Sequence, residues 1–235
     1  MYSRSAAVYD AVYSFKDYAT EAATLERVVR GRVPRARTLL DVACGTGKHL
    51  AELRRSFDVT GLEIEPEFVR IARERLPDVD IHEGDMTDFD LGRRFDVVTN
   101  LFSAIGYART LDRLHAAAAA MARHVESGGL LVIEPWIERD DWHPGGVYSV
   151  FVDEPELKVA RVNISPPPGP EGTVVLDMHH VIGRPEGVET FVERHELGMF
   201  GRDDYLGALR AAGLEAEHDP EGLIGRGLFL GTRGS

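Results

Sequence analysis

A chain of 235 residues with one cysteine, Cys44, has no partner for an internal disulfide, and such scarcity fits a reducing cytoplasm. No apolar run approaches the ~20 residues needed to span a bilayer, and the opening MYSRSAAVYD lacks the apolar core and cleavage pattern of a secretory leader. A membrane partner is therefore not expected. Basic residues are outnumbered: 27 Lys and Arg stand against 39 Asp and Glu, a net charge of −12. That average field repels a polyanion, and no segment interleaves cations with aromatics, so nucleic acid is not expected either. The one Arg-rich stretch, RVVRGRVPRAR at 27–37, reads as a solvated helix end running into a linker. Metal-ligand spacing is missing as well. The nine histidines form no H-x-x-x-H or H-E-x-x-H, and His179 and His180, adjacent in a strand-like run, point to opposite faces. Without a G-x-S-x-G turn, hydrolysis has no support.

What is present is concentrated in TLLDVACGTGKHLAELRRSFDVTGLEIE, residues 38–65. Leu39, Leu40 and Val42 form the apolar run of a strand covered on both faces, with Asp41 the polar residue inside it. Ala43-Cys44-Gly45-Thr46-Gly47 offers only small side chains, so backbone amides can approach a ligand closely. Cys44 fits as a small residue under that ligand, since no base is paired with it for thiol chemistry. Glu63 closes the next strand 18 residues after Gly45, where open α/β sheets place the acid that bonds a ribose diol. An adenosine-containing cofactor follows. A dinucleotide loop wants a third glycine where Leu50 stands, and a phosphate loop wants Ser or Thr where His49 stands. Asp41 would repel a pyrophosphate but suits an amino group and a sulfonium. The run D-V-A-C-G-T-G resembles the first motif of class I S-adenosylmethionine-dependent methyltransferases, which implies S-adenosyl-L-methionine as cofactor, S-adenosyl-L-homocysteine as its product, and no metal.

The remaining pattern alternates strand and helix. Strands are predicted near 38–43, 58–63, 79–83, 95–101 and 129–134, and helices near 17–30, 47–56, 66–76 and 110–126. Pro66 opens the helix at 66–76 and Thr110 caps the one after it. The fold class is thus α/β, a Rossmann-like, doubly wound, mostly parallel sheet. Beyond Trp136 the character changes to strand-like runs broken by Pro166-Pro167-Pro168-Gly169-Pro170 and Arg184-Pro185-Glu186-Gly187, an inserted antiparallel β-meander. A helix near 202–212 and strands near 214–218 and 227–232 complete the core. Residues 1–136 and 201–235 then form the cofactor-binding core, and 137–200 an insertion capping the active site.

Ligands in such sheets lie outside the carboxyl ends of the strands. Each predicted end carries a candidate: Asp41 and Gly45 after the first, Glu63 and Ile64 after the second, Asp85 and Met86 after the third for the adenine amine and ring. Leu101, Phe102 and Ser103 after the fourth lie beside the sulfonium, with Tyr107 further along that loop. Trp136 follows the fifth strand and either walls the acceptor pocket or packs under the insertion. Arg226, between Gly225 and Gly227, has room to take a phosphate.

A closer resemblance spans 1–233. V-Y-D-x-x-Y…K-D-Y-A-x-E-A (8–23), LLDVACGTG, GDM, L-F-S-A-I-G-Y, I-E-P-W and G-R-G-L-F-L-G look like the TDP-3-amino-sugar N-methyltransferases of macrolide antibiotic pathways. The resemblance implies N,N-dimethylation of a TDP-linked deoxyaminosugar by a homodimer. It implies that Tyr9, Tyr13 and Tyr107 line the sugar pocket, that Arg226 holds the diphosphate, and that Tyr18 meets the methionine part of the cofactor. Ala104 stands where that loop commonly has serine, which leaves acceptor identity open. The expected reaction is in-line displacement by a neutral amine, with Tyr107 and Tyr13 as positioning or proton-relay residues and no general base assigned. Methylation of another small metabolite on N or O, or cofactor binding by a regulatory protein, are the alternatives.

Overall fold

The computed structural model describes residues 4–137 and 141–234; Tyr2 of the tyrosine-rich lead and residues 138–140 of the expected insertion lie outside them. Seven strands form the main sheet: β1 (Thr38–Val42), β2 (Asp58–Glu63), β3 (Asp80–Glu83), β4 (Phe95–Asn100), β5 (Val125–Ile133), β10 (Glu215–Asp219) and β11 (Leu228–Thr232). Their order is β10-β11-β5-β4-β1-β2-β3, parallel except that β11 runs against both its neighbours. The chain steps outward from β1 to β2 and β3, then returns to β4 on the other side. Strand order therefore reverses between β1 and β4, and their carboxyl ends open a crevice there. The near-continuous apolar strands are buried on both faces, as helices on either side cover a doubly wound sheet.

Local chemistry fixes the helices. The Asp17 carboxylate caps α2 (Tyr18–Arg32) by accepting from Thr20 N at 3.0 Å, and Thr110 caps α5 (Leu111–Arg123) through Arg113 N at 3.4 Å. In α4 (Pro66–Arg75), proline opens the first turn and Arg73 and Arg75 close the last, matching the helix dipole. The helix α3 (Lys48–Leu53) is shorter than the pattern predicts, because the chain is pulled back into β2 where Asp58 N donates to Arg37 O at 2.7 Å. Strand β5 in turn starts earlier than predicted. Its register against β4 shifts between Phe95 and Val97, and Gly128 at φ +75° lies within that irregularity. The tyrosine-rich lead forms a 3-10 turn at Ala6–Val8 and the short α1 (Tyr9–Val12).

Between β5 and α6 (Arg202–Ala211) stands a second sheet, β6 (Val147–Glu154), β7 (Leu157–Ile164), β8 (Thr173–Arg184) and β9 (Gly187–Gly198), antiparallel throughout. Alternation decides its faces. Val152, Val159, Ile182 and Phe191 point inward onto Val8, Val12 and Tyr13, so the N-terminal segment is held between this sheet and the core. His180 is buried and His179 exposed, on opposite faces. Outward stand Phe151, Val162, Ile164, Val181 and Val192, all exposed and laterally continuous by register.

Gly61 of β2 gives the cofactor loop its seat. A Cβ there would lie 2.8 Å from Cys44 Sγ and Ile81 Cδ1 and 2.9 Å from Leu50 Cδ1. Gly61→Ala is expected to cost about 1–3 kcal/mol by overpacking, read as a lower denaturant midpoint; an unchanged midpoint would show that the seat yields freely.

Candidate active site

The crevice at the ends of β1, β2, β3 and β4 holds a cavity of about 550 Å³, roofed by β8 and β9. It runs into a recess of about 30 Å³ under the glycine loop, the two sharing Tyr9, Ala43, Gly45, Leu101 and Phe102 as walls. Glu63, Ile64, Asp85, Met86, Tyr13, Ser103, Tyr107, Trp136 and Arg226 line the large cavity; Tyr18, Asp41 and Cys44 line the recess. Gly47, also predicted as a cofactor contact, is not among the walls of either space: at φ +77° it turns the chain into α3, and it lies so close to Ala72 of α4 and to Leu76 just after it that a Cβ would sit 3.2–3.3 Å from them.

Backbone conformation at the loop ends is unusual. Ala43, Phe102 and Ser103 occupy the left-handed region at φ +60°, +52° and +64°, where side chains other than glycine cost free energy that surrounding bonds must offset. Glu134, fully buried at the end of β5, accepts from Phe102 N at 2.6 Å, while Ser103 Oγ donates to Pro135 O at 3.1 Å. Arg226 Nη1 donates to Ser103 Oγ at 3.0 Å and has no carboxylate partner among the described residues. Trp136 both walls the cavity and packs on Trp142, centroids 5.2 Å apart.

The acids are set by burial. Glu63 Oε1 accepts from Ile64 N and Glu65 N at 2.9 Å and Oε2 from Gly45 N at 2.8 Å. Oε2 keeps one acceptor site, as a ribose hydroxyl requires. Burial pushes this carboxyl above the ordinary glutamate range, against the opposing pull of the three amides. Asp41 accepts from Thr99 Oγ1 at 2.8 Å and burial pushes it up to about 6. Burial also pushes the Cys44 thiol up, which leaves it inert beneath the loop. Asp85 lines the cavity with Oδ1 taken by Thr87 N and Oγ1, and Oδ2 paired with Arg113 at 3.1 Å.

Several groups escaped the sequence pattern. Lys16 sits 2.7 Å from Glu21 and 3.8 Å over the Phe102 ring, and Glu21 meets His49 at 2.9 Å, a buried cluster beside the recess. Arg109, Arg113 and Arg194 join Arg226 along the large cavity, and His195 lies 2.8 Å from the Tyr107 hydroxyl. Alternation in ETFVERHELGMF does place Glu193, His195 and Leu197 on one face; what that face meets depends on how the insertion folds over the core. Asp10 of α1 bonds Thr46 Oγ1 at 2.7 Å and pairs with Arg75, so the N-terminal segment also clasps the glycine loop. The arrangement offers a buried carboxylate under the loop and, in Arg226, a guanidinium with no carboxylate partner among the described residues on the cavity wall.

Comparison with known proteins agrees. Residues 39–129 match the family model described as a methyltransferase domain. The dTDP-3-amino-3,4,6-trideoxy-alpha-D-glucopyranose N,N-dimethyltransferase of Streptomyces venezuelae is 42% identical over 96% of both chains. The dTDP-4-amino-2,3,4,6-tetradeoxy-D-glucose N,N-dimethyltransferase of Saccharopolyspora spinosa is 41% identical over 96% of this chain and 91% of that one. The SAM-bound structure of CalS10, an amino pentose methyltransferase from Micromonospora echinaspora involved in calicheamicin biosynthesis, superposes with a TM-score of 0.87 at 41% identity, covering 96% of each chain.

Because Asp41 titrates higher in the native state than the ordinary value of 3.8, this one carboxyl is more protonated in the native than in the unfolded protein between pH 4 and 6. Its contribution to stability therefore falls as pH rises through that window. Asp41→Asn, which keeps an acceptor for Thr99, is expected to stabilise the ligand-free protein by about 3 kcal/mol at pH 7.5 and by well under ~1 kcal/mol at pH 4. Urea titrations at the two pH values measure this; an equal gain at both would remove the carboxylate as its source.

Proposed function

The chain belongs to the dTDP-aminosugar N,N-dimethyltransferase family, and from that premise we propose that it methylates the amino group of a dTDP-linked deoxyaminosugar twice, with S-adenosyl-L-methionine as donor. The observation that carries this reading is a recess holding the buried Asp41 that opens, between shared walls of Tyr9 and Phe102, into a larger cavity lined by Glu63 and by Arg226, a guanidinium with no carboxylate partner among the described residues. No helix among the described residues is long and apolar enough to cross a membrane.

The cofactor supplies a sulfonium methyl, and its transfer to nitrogen leaves a thioether. The chain's own residues do the rest. Tyr18, Asp41, Ala43, Cys44 and Gly45 surround the amino-acid end, where Asp41 offsets positive charge. Glu63 accepts from the ribose through Oε2; Ile64, Met86 and Asp85 receive the adenine; Leu101 and Phe102 border the sulfur. Tyr9 and Tyr13, their ring centroids 4.6 Å apart and their planes tilted by 53°, form a wall for the sugar, with Tyr13 Oη accepting from Arg161 at 2.8 Å. Ser103, Tyr107 and Trp136 complete the acceptor pocket, and Arg226 takes the diphosphate. Holding amine and methyl in line can supply roughly 7–11 kcal/mol of the barrier. The two relatives differ in whether the amine is on C3 or C4, so the acceptor assay spans both.

We also propose that a second copy of this chain covers the outer face of the insertion. Phe151, Val162, Ile164, Val181 and Val192 form a contiguous apolar surface of the kind monomers rarely leave in water. Placing a charge at its centre with Phe151→Glu and Val162→Glu is expected to convert a dimer to a monomer in sedimentation velocity, while an unchanged mass would put the interface elsewhere.

The substrate assignment is tested by incubating the protein with labelled donor and a panel of dTDP-3-amino and dTDP-4-amino sugars, reading single and double addition by product mass. Arg226→Ala is expected to raise KM for the nucleotide sugar roughly 10- to 100-fold, the worth of a charge-assisted bond of about 1.5–3 kcal/mol. Indifference to that substitution would favour another small acceptor.

A further inference from the structure

Four arginines line the large cavity, and three of them already face a carboxylate. Arg109 lies 3.3 Å from Glu196, Arg113 3.1 Å from Asp85 and Arg194 2.8 Å from Asp177. Arg226 is held differently, by a hydroxyl: its Nη1 donates to Ser103 Oγ at 3.0 Å. Ser103 Oγ in turn donates to Pro135 O at 3.1 Å. Pro135 comes just after β5, where Glu134 N donates to Asn100 O at 2.9 Å and ties that strand end to β4. An exposed side chain on the turn between Gly225 and Gly227 is thus moored to the carboxyl end of the core sheet, 123 positions away in sequence.

We infer, resting on the function proposed above, that Ser103 is a positioning residue for the nucleotide end of the substrate: its hydroxyl holds the Arg226 guanidinium at the cavity wall, charge intact, for the diphosphate. Chemistry fixes the direction of both bonds. A guanidinium only donates and a carbonyl only accepts, so the hydroxyl between them accepts from Arg226 and gives its one proton to Pro135 O. That proton is not available to the sugar, which makes Ser103 a wall of the acceptor pocket and not a donor to it. Ser103 is buried and its backbone is held in the left-handed region at φ +64°, so the hydroxyl is a fixed mooring and not a mobile one.

A neutral partner matters here. A carboxylate would hold the guanidinium as firmly but offset its charge, and an incoming phosphate would have to displace it. A hydroxyl engages one nitrogen and leaves the full charge and the remaining N–H groups for a planar, two-point bond to phosphate. A long side chain left free on a turn loses rotamer freedom when it binds, at a cost of roughly 3- to 10-fold in affinity; one already moored has less to lose. The transfer step itself does not depend on this mooring. Leu101 and Phe102, which border the sulfur, are kept in place by a separate bond from Phe102 N to Glu134.

The test removes the hydroxyl in two ways. Ser103→Ala keeps the Cβ, whereas Ser103→Gly suits the left-handed backbone better than serine does, so a loss shared by both belongs to the hydroxyl and not to strain. By calorimetry on the full chain, each variant is expected to bind dTDP roughly 3- to 10-fold more weakly while its affinity for S-adenosyl-L-homocysteine stays within about twofold. In turnover, KM for the nucleotide sugar should rise by the same factor with kcat held within about twofold. Arg226→Ala should weaken dTDP at least as much, and adding Ser103→Ala to it should cost less than about twofold more, because the hydroxyl acts only through the guanidinium. Unchanged dTDP affinity in either Ser103 variant, equal losses for dTDP and S-adenosyl-L-homocysteine, or multiplicative losses in the double variant would each overturn the inference alone. A wild type that binds S-adenosyl-L-homocysteine but not dTDP would instead overturn the substrate assignment, and the inference with it.

Discussion

The carboxylate of Glu63 accepts three backbone amides, and the geometry of the site follows from where those amides belong. Two are in the turn leaving β2, at Ile64 and Glu65, and the third is Gly45 of the loop leaving β1. One side chain therefore ties the ends of two neighbouring parallel strands across the mouth of the crevice. Hydrogen bonds to a charged acceptor are worth about 1.5–3 kcal/mol each, enough to hold Ala43 and Gly45 in left-handed conformations. The loop in turn rests on Gly61, where only a hydrogen leaves space for Cys44. Rigidity of the cleft comes from this small set of contacts, with the sheet supplying the frame.

The second constraint is the N-terminal segment. Asp10 grips Thr46 and Arg75 on the core side, and Ser5 and Arg4 bond Glu193 on the insertion side. Tyr9 and Tyr13 fill the space between, packed against Phe68 and Phe102. The segment closes the recess from above, so the same few residues that seal the cofactor end also orient the buried Glu193. Loop, insertion and N-terminus are coupled by hydrogen bonds rather than by a shared apolar core alone.

Features encoded locally were legible in the sequence. The cap at Thr110, the opening proline of α4 and the apolar parallel strands all depend on neighbours within a few positions. Two predicted bounds differ from the structure for physical reasons: β5 begins at Val125 rather than near 129, its register shifting around Gly128, and α3 ends at Leu53 rather than near 56. The residues that stayed hidden, His195, Arg109, Arg113 and Arg194, depend on contacts between distant segments. Period-two alternation tells which face of β9 His195 occupies, yet nothing within the strand tells that the face meets Tyr107, 88 positions away.

Charge gives the site its direction. Asp41, Glu63 and Glu134 are buried at adjoining strand ends, and burial raises all three. Glu134 Oε1 has no hydrogen-bond partner among the described residues. Three acids so placed lower the stability of the ligand-free protein, and a cation arriving nearby relieves that cost in a medium of low effective dielectric. On the proposed function, the donor carries its positive charge only until the methyl leaves. The attraction is thus strongest for the unreacted donor and weakens when the thioether forms. Burying acids at this sheet edge both recruits the reactive cofactor and loosens its product, which a site built from neutral hydrogen-bond donors could not do.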